Sequence, residues 1–324
     1  MIAYVNPYYN QDFFGFFITL FTRLFLYATG ALSETSMASD ELQMIVLSLV
    51  SVSAALVGTT LILRKMTMLA NSISHTILIG VVIAYVFAPK NTDIHQLNMT
   101  AFIIASVVMA LITAFLTEWL TKSTKLKEDA STGIVFTTFF AVGIILVTLL
   151  TKSAHIGSEV VMGSVDALNI GDISYVFWIA CLNIALYTLF YKEYLITTFD
   201  PSLAKSLGIS PPLFNYILMV QVALTSVAAF RAVGVIMVLA MLVGPSLGAR
   251  FLTDRLSVLF LYSVLLGCAA SIFGVAMARH LLSVYGIALS TGGLVVAFIL
   301  IIFLLSALFG PKRGLIREYI HNRI

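Results

Sequence analysis

Charge is what this 324-residue chain has least of: Asp, Glu, Lys and Arg make up 10% of it, against 60% hydrophobic residues. A water-soluble domain carries about 25% charged residues. No ordinary solvated surface can be built from this composition, so the chain reads as an all-α polytopic membrane protein. Cysteine is nearly absent too. Cys181 and Cys268 lie singly inside apolar runs, which excludes a cysteine metal cluster or a paired disulfide and makes both core residues. The N-terminus has no basic stretch ahead of its first apolar run, only Tyr4, Tyr8, Tyr9 and Asn10, so no cleavable signal peptide is expected. There is no Gly-x-x-x-x-Gly-Lys-Ser/Thr phosphate loop, and the connections are too short for a soluble catalytic domain. The chain is therefore not expected to be an enzyme. If its transport is active, the energy comes from another subunit or from an ion gradient.

Long apolar runs are what the chain does have. A spanning helix needs roughly 20 mostly apolar residues, and ten segments qualify: 13–32, 42–63, 71–88, 99–120, 132–150, 173–191, 213–230, 232–249, 256–278 and 288–308. The two either side of Arg231 read alternatively as one long or broken helix, so the count is about ten, within eight to ten. With ten spans, one side receives Arg64, Lys65, Lys122, Lys125, Lys127, Lys192, Lys205, Arg250, Arg255, Lys312, Arg313, Arg317 and Arg323. The other receives Lys90, Lys152, Arg231 and Arg279, while Arg23 falls inside the first segment. Cations mark the cytoplasmic side, so thirteen against four places both termini there. Merging the segments around Arg231 weakens that bias.

The residues able to do chemistry are few. Arg64 and Lys65 close one apolar segment, and the next opens with Asn71, Ser74 and His75. A histidine inside an apolar span is costly unless it faces a polar cavity or a partner, and on a helix Asn71 and His75 share a face. Imidazole suits first-row divalent ions and an amide oxygen suits harder ones. This is the arrangement expected where a small solute or metal ion passes; the alternative is a buried hydrogen bond between helices. Glu128 and Asp129 are either acids at a helix N-terminus, favoured by its dipole, or a gate or metal contact. In the outer loop 151–172, His155, Glu159, Asp166 and Asp172 either attract cations or are merely solvated.

On the inner side, Asp200-Pro201 starts and Gly208, Pro211 and Pro212 stop a short capped helix. It is a connector or a surface that a cytoplasmic partner grips. Gly234, Gly244-Pro245 and Gly248 serve close packing or break a helix along a cavity; Gly292-Gly293 reads as packing. Gln221, Thr225 and Ser226 are a weak hint of a polar interior. An ion-gradient-driven transporter would need intramembrane carboxylates, and Glu118, near a span end, is the one candidate. A membrane metalloenzyme would need a pattern such as His-Glu-x-x-His, which does not occur.

Four ordered blocks then point to a family. They are Leu63-Arg64-Lys65 through Ser74-His75-Thr76 and Gly80; Leu126-Lys127-Glu128-Asp129-Ala130 with Gly133-Ile134-Val135-Phe136; Phe199-Asp200-Pro201 through Leu207-Gly208-Ile209; and Ala232-Val233-Gly234-Val235 through Gly244-Pro245 and Ala249-Arg250. With these the chain resembles the membrane (permease) subunits of ATP-binding-cassette importers for manganese, zinc and iron. The resemblance runs from about residue 42 to the C-terminus, so 42–324 is expected to be the permease domain and 1–41 an extra N-terminal hydrophobic segment.

The resemblance implies a translocation path at His75, with Asn71 and Ser74 beside it. It also implies a coupling helix carrying Asp200, Leu203, Ala204, Lys205, Leu207 and Gly208. Expected partners are a cytoplasmic ATP-binding-cassette ATPase, an extracytoplasmic metal-binding protein and a second permease subunit, in a bacterial inner membrane. The divalent metal is transported substrate, and no permanently bound cofactor is expected. The family usually has an aspartate where this chain has Asn71. A neutral amide there weakens the site for a divalent cation, which suggests a non-identical partner permease supplying the acid.

Overall fold

Inside a bilayer only helices and closed barrels satisfy every backbone N–H and C=O, and this chain takes the helical solution. The structure, a computed structural model, describes residues 6–30, 37–68, 71–73, 75–76, 79–80, 99–151, 165, 168–312 and 314–316. Among these residues there are eleven helices: α1 (Phe13–Ala28), α2 (Ser39–Leu63), α3 (Met99–Thr124), α4 (Glu128–Thr151), α5 (Ile170–Leu189), α6 (Tyr191–Phe199), α7 (Pro201–Ser206), α8 (Pro211–Val233), α9 (Val235–Leu252), α10 (Leu256–Tyr285) and α11 (Thr291–Phe309).

Seven of them, α2, α3, α4, α5, α8, α10 and α11, are long and apolar enough to cross a membrane, and 13–27 and 237–252 form shorter apolar helices. The expected span at 71–88 is described only at 71–73, 75–76 and 79–80, where the backbone is helical. These nine helices fall on nine of the ten expected segments, and the tenth, 71–88, lies mostly outside the described residues.

The ambiguity around Arg231 resolves into two helices. Backbone helix continues through Arg231 to Val233, and the chain then turns at Gly234 with φ 79° and ψ 166°. That region is essentially reserved for glycine. Gly244-Pro245 does not break α9, which continues through Pro245 to Leu252.

α2 is the centre of the packing, buried along nearly its whole length and flanked by α5, α8, α9 and α10. Helix faces in a membrane gain little from the hydrophobic effect and rely on small residues and polar contacts. Both are present. A methyl at Gly58 would overlap the Leu242 carbonyl oxygen of α9, and one at Gly267 would lie 3.2 Å from Ser51 Cβ. The hydroxyls form a ladder around α2. Ser51 meets Ser271 at 2.7 Å, and Thr59 meets Ser246 at 3.0 Å and Ser263 at 3.1 Å. Tyr187 donates to Thr60 at 2.8 Å. Gln221 and Thr225 of α8 belong to the same system: Tyr194 donates to Gln221 at 2.5 Å, and Asn183 donates to Thr225 at 2.9 Å. Cys181 and Cys268 are half-buried free thiols.

The N-terminal end of α2 holds charges that hydropathy reading passes over. Asp40 and Glu41 are buried. Arg279 of α10 pairs with Asp40 at 2.8 Å, and Arg23 of α1 pairs with Glu41.

Candidate functional site

The stretch after α2 is held against α3. Thr113 of α3 donates to Thr76 at 3.0 Å. Gly80 lets the two backbones approach, since a Cβ there would lie 3.1 Å from Ser106 Cα. Ile73 and Ser72 are buried on the same stretch. This packing turns His75 towards α4, where its ring sits 5.0 Å from Phe136 and 5.2 Å from Phe140. The two phenylalanines are themselves 5.8 Å apart and stacked. Nδ1 of His75 is buried and has no hydrogen-bond partner among the described residues. Among the described residues the imidazole therefore lies against two aromatic rings, and no carboxylate or carbonyl bonds Nδ1 to fix its tautomer.

Asn71 lies one turn before His75 in the same stretch and is half-buried. Ser74 lies outside the described residues. Among the described residues, no three His, Cys, Asp or Glu side chains come together as a metal site. One imidazole and one amide do not complete the four-ligand shell typical of zinc. A metal at His75 would need ligands beyond these two. Phe136 belongs to a motif block, but nothing in the sequence pointed to Phe136 or Phe140 as its neighbours.

The other candidates fall elsewhere. Asp129 is exposed in the first turn of α4, two turns from Phe136; the side chain of Glu128 lies outside the described residues. Asp172 is buried in the first turn of α5, where its carboxylate accepts from the Asn169 N–H at 2.8 Å. His155, Glu159 and Asp166 lie outside the described residues. Glu118 is tied at the inner end of α3: it pairs with Lys122 at 2.6 Å and accepts from Tyr216 at 2.7 Å.

The inner connector is a built structure. The Asp200 carboxylate accepts from the N–H groups of Ser202 and Leu203 at 3.0 and 2.9 Å, with Pro201 in the first turn of α7. Gly208, at φ 79°, closes the other end, and Ile209 N–H bonds back to the Ala204 carbonyl at 2.9 Å. Ala204 faces inward, while Phe199, Leu203, Leu207 and Leu213 are exposed and Lys205 is exposed beside them. Arg64, at the end of α2, braces this elbow from within. It donates to Thr198 at 3.0 Å and Thr197 at 2.7 Å on α6, and to Asn215 on α8; its guanidinium lies 6.0 Å from the Tyr194 ring centroid. Burial with only neutral acceptors around it pulls the Arg64 pKa below its ordinary value.

Known proteins share this architecture. Residues 41–310 match the family described as "ABC 3 transport family". A Chlamydia trachomatis protein named "Probable metal transport system membrane protein" is 37% identical over 309 residues, covering 95% of each chain. The manganese transport system membrane protein MntD of Bacillus subtilis is 35% identical over 285 residues, covering 83% of this chain and 92% of the relative. Among solved structures, PsaBC from Streptococcus pneumoniae in complex with Fab superposes with a TM-score of 0.73 at 28% identity, covering 87% of this chain and 94% of that one.

Proposed function

The chain belongs to the ABC 3 transport family, and from that premise we infer that it is the permease subunit of an ATP-driven importer for divalent transition-metal ions, seated in a bacterial inner membrane. The observation that carries the reading is α7. It is a capped six-residue helix on the cation-rich side, where Leu203 and the flanking Phe199 and Leu207 are exposed. Exposed apolar side chains on an aqueous face of a membrane protein fit a protein partner, here the ATPase. Relatives named for metal and manganese transport support the cargo class. His75, the neutral ligand on a stretch that follows α2 directly, supports the position of the path.

In this reading, ATP-driven closure of the ATPases pushes on α7. Arg64 joins both flanks of α7 to the end of α2, so the displacement reaches the stretch that bears Asn71 and His75. The chain binds no permanent cofactor and does no covalent chemistry. An extracytoplasmic metal-binding protein delivers the cargo. A second permease, non-identical and bearing an acid opposite Asn71, completes the ligand shell. The rival reading, a gradient-driven transporter, is disfavoured by Glu118. That carboxylate is occupied by Lys122 and Tyr216 at the inner end of α3, leaving no carboxylate poised for a coupling ion among the candidates read from the sequence.

Purification of the tagged chain from its own membranes in mild detergent tests this. The expected result is co-purification of an ATP-binding-cassette ATPase and a second permease. An intact chain with no ATPase sinks the importer reading. An ATPase with two identical permeases keeps the importer and rejects the non-identical partner.

A further inference from the structure

We propose that α1 does not cross the membrane: it clasps the outer ends of α2 and α10, its free face lies against outer-leaflet acyl chains, and the N-terminus stays outside. This geometry is independent of the cargo. At about 1.5 Å per residue the 16 residues of α1 are roughly 24 Å long. Upright, they would hold the groups before and after them at opposite depths. Instead side chains from before α1 and from its last turn meet at one carboxylate, with the Tyr8 ring folded back to 4.8 Å from Phe16. Tyr8, before α1, donates to the Glu41 carboxylate at 2.8 Å, and Tyr27, in its last turn, donates to the same carboxylate at 3.1 Å. Arg23 pairs with Glu41 as well, and Asn6 donates to the neighbouring Asp40 at 2.7 Å. The first turn is tied to the same place: the Phe13 ring lies 6.3 Å from His280, next to the Arg279 that pairs with Asp40.

That place is the outer side, because the other end of α2 carries Arg64 and Lys65 among the thirteen cations of the inner face. Putting α1 there leaves nine spans, within the expected eight to ten, adds Arg23 to the four outer cations without removing the bias, and reverses the expected cytoplasmic N-terminus while keeping the C-terminus inside.

The two faces of α1 differ. Phe13, Phe16, Phe17 and Leu20 pack on the protein, with Phe17 6.0 Å from Phe273, and the single cation, Arg23, turns inward. Phe14, Ile18, Phe21 and Phe25 form the opposite stripe, 68–79% exposed and uncharged. Phe273 lies about 18 Å along α10 from its last residue, Tyr285, so α1 sits at hydrocarbon depth. Leu265 and Leu282 of α10 are exposed apolar residues as well. Lipid is the occupant this position and chemistry fit.

The test uses the full chain with Cys181→Ser and Cys268→Ser, adding Tyr9→Cys or Thr29→Cys, which bracket α1 at exposed positions. A membrane-impermeant maleimide is applied to intact spheroplasts, with Ser123→Cys as the inner control. Labelling of both bracketing cysteines without permeabilisation is expected. Labelling of Thr29→Cys alone, with Tyr9→Cys reacting only after permeabilisation, means that α1 spans and overturns the proposal. Independently, a nitroxide at Ile18→Cys in phospholipid vesicles should be relaxed by molecular oxygen and not by a water-soluble nickel chelate. Relaxation by the chelate, or spin–spin broadening from a second copy, rejects lipid as the occupant.

Discussion

The two flanks of α8 are built differently. On one side α2, α9, α10 and α11 pack through glycines and a ladder of hydroxyls, and 72% of the apolar window of α2 is buried. On the other side α3 and α4, with the His75 stretch, have no such buried central helix: 33% and 22% of their windows are buried, as little as α11 at 22% on the rim of the dense side. Among the described residues α3 packs on α8 and α4 packs on α3. The dense flank carries the stability of the subunit. The open flank carries the candidate path, and its uncovered faces are available to lipid or to a second permease.

The sharpest way to break this contrast is Gly58→Leu. The new side chain would run into the Leu242 backbone carbonyl, and overpacking against backbone costs at least about 1–3 kcal/mol. The expected outcome is no monodisperse protein on size-exclusion chromatography. A well-folded Gly58→Leu subunit would mean that the dense flank is looser than its geometry says.

On the open flank, His75→Ala should abolish metal uptake into proteoliposomes of the assembled transporter while leaving its thermal unfolding midpoint unmoved. Among the described residues the imidazole meets the rings of Phe136 and Phe140 and its Nδ1 has no hydrogen-bond partner, so no hydrogen bond of that nitrogen is lost with it. Normal uptake would remove His75 from the path; a large fall in the midpoint would make it a structural residue of the flank.

The elbow between the flanks gives an intermediate effect. Arg64→Gln removes charge-assisted hydrogen bonds worth about 1.5–3 kcal/mol from a group that joins α2 to both neighbours of α7. Metal moved per ATP hydrolysed should fall by roughly tenfold, with the ATPase still bound in a pull-down. An unchanged ratio would show that force passes from α7 to the path by another route.

These contrasts were unevenly legible in the sequence. Spans can be read because an unbroken run of roughly twenty apolar residues matches the hydrocarbon thickness and exceeds what most core helices bury. α7 can be read because Asp200-Pro201 and Gly208 are local signals with local causes. His75 stands out against its apolar surroundings, but its aromatic walls do not: Phe136 and Phe140 look like any lipid-facing pair until the His75 stretch is placed beside α4. Asp40 and Glu41 read as the loop before a span, since their partners Arg23 and Arg279 lie far away in the chain. Arg64 reads as one more inner cation, and its contacts to Thr197, Thr198 and Asn215 depend wholly on tertiary packing. Hydropathy reports that 13–27 is apolar and is silent on its direction.

The finest test concerns the ladder itself. Thr59 is buried, donates to the Ala55 carbonyl at 2.7 Å, and also meets Ser246 and Ser263. Thr59→Val keeps the shape and removes the hydroxyl. Interhelical hydrogen bonds in membranes average only about 0.6 kcal/mol, because polar groups find other partners; here Ser246 can still reach the Ala55 carbonyl at 3.3 Å, and Ser263 the Leu259 carbonyl at 2.8 Å. A loss of about 0.6 kcal/mol in reversible unfolding would mean that the ladder stabilises by the number of its rungs. A loss several times larger would mean that Thr59 is a keystone, and that the dense flank depends on one junction of α2, α9 and α10.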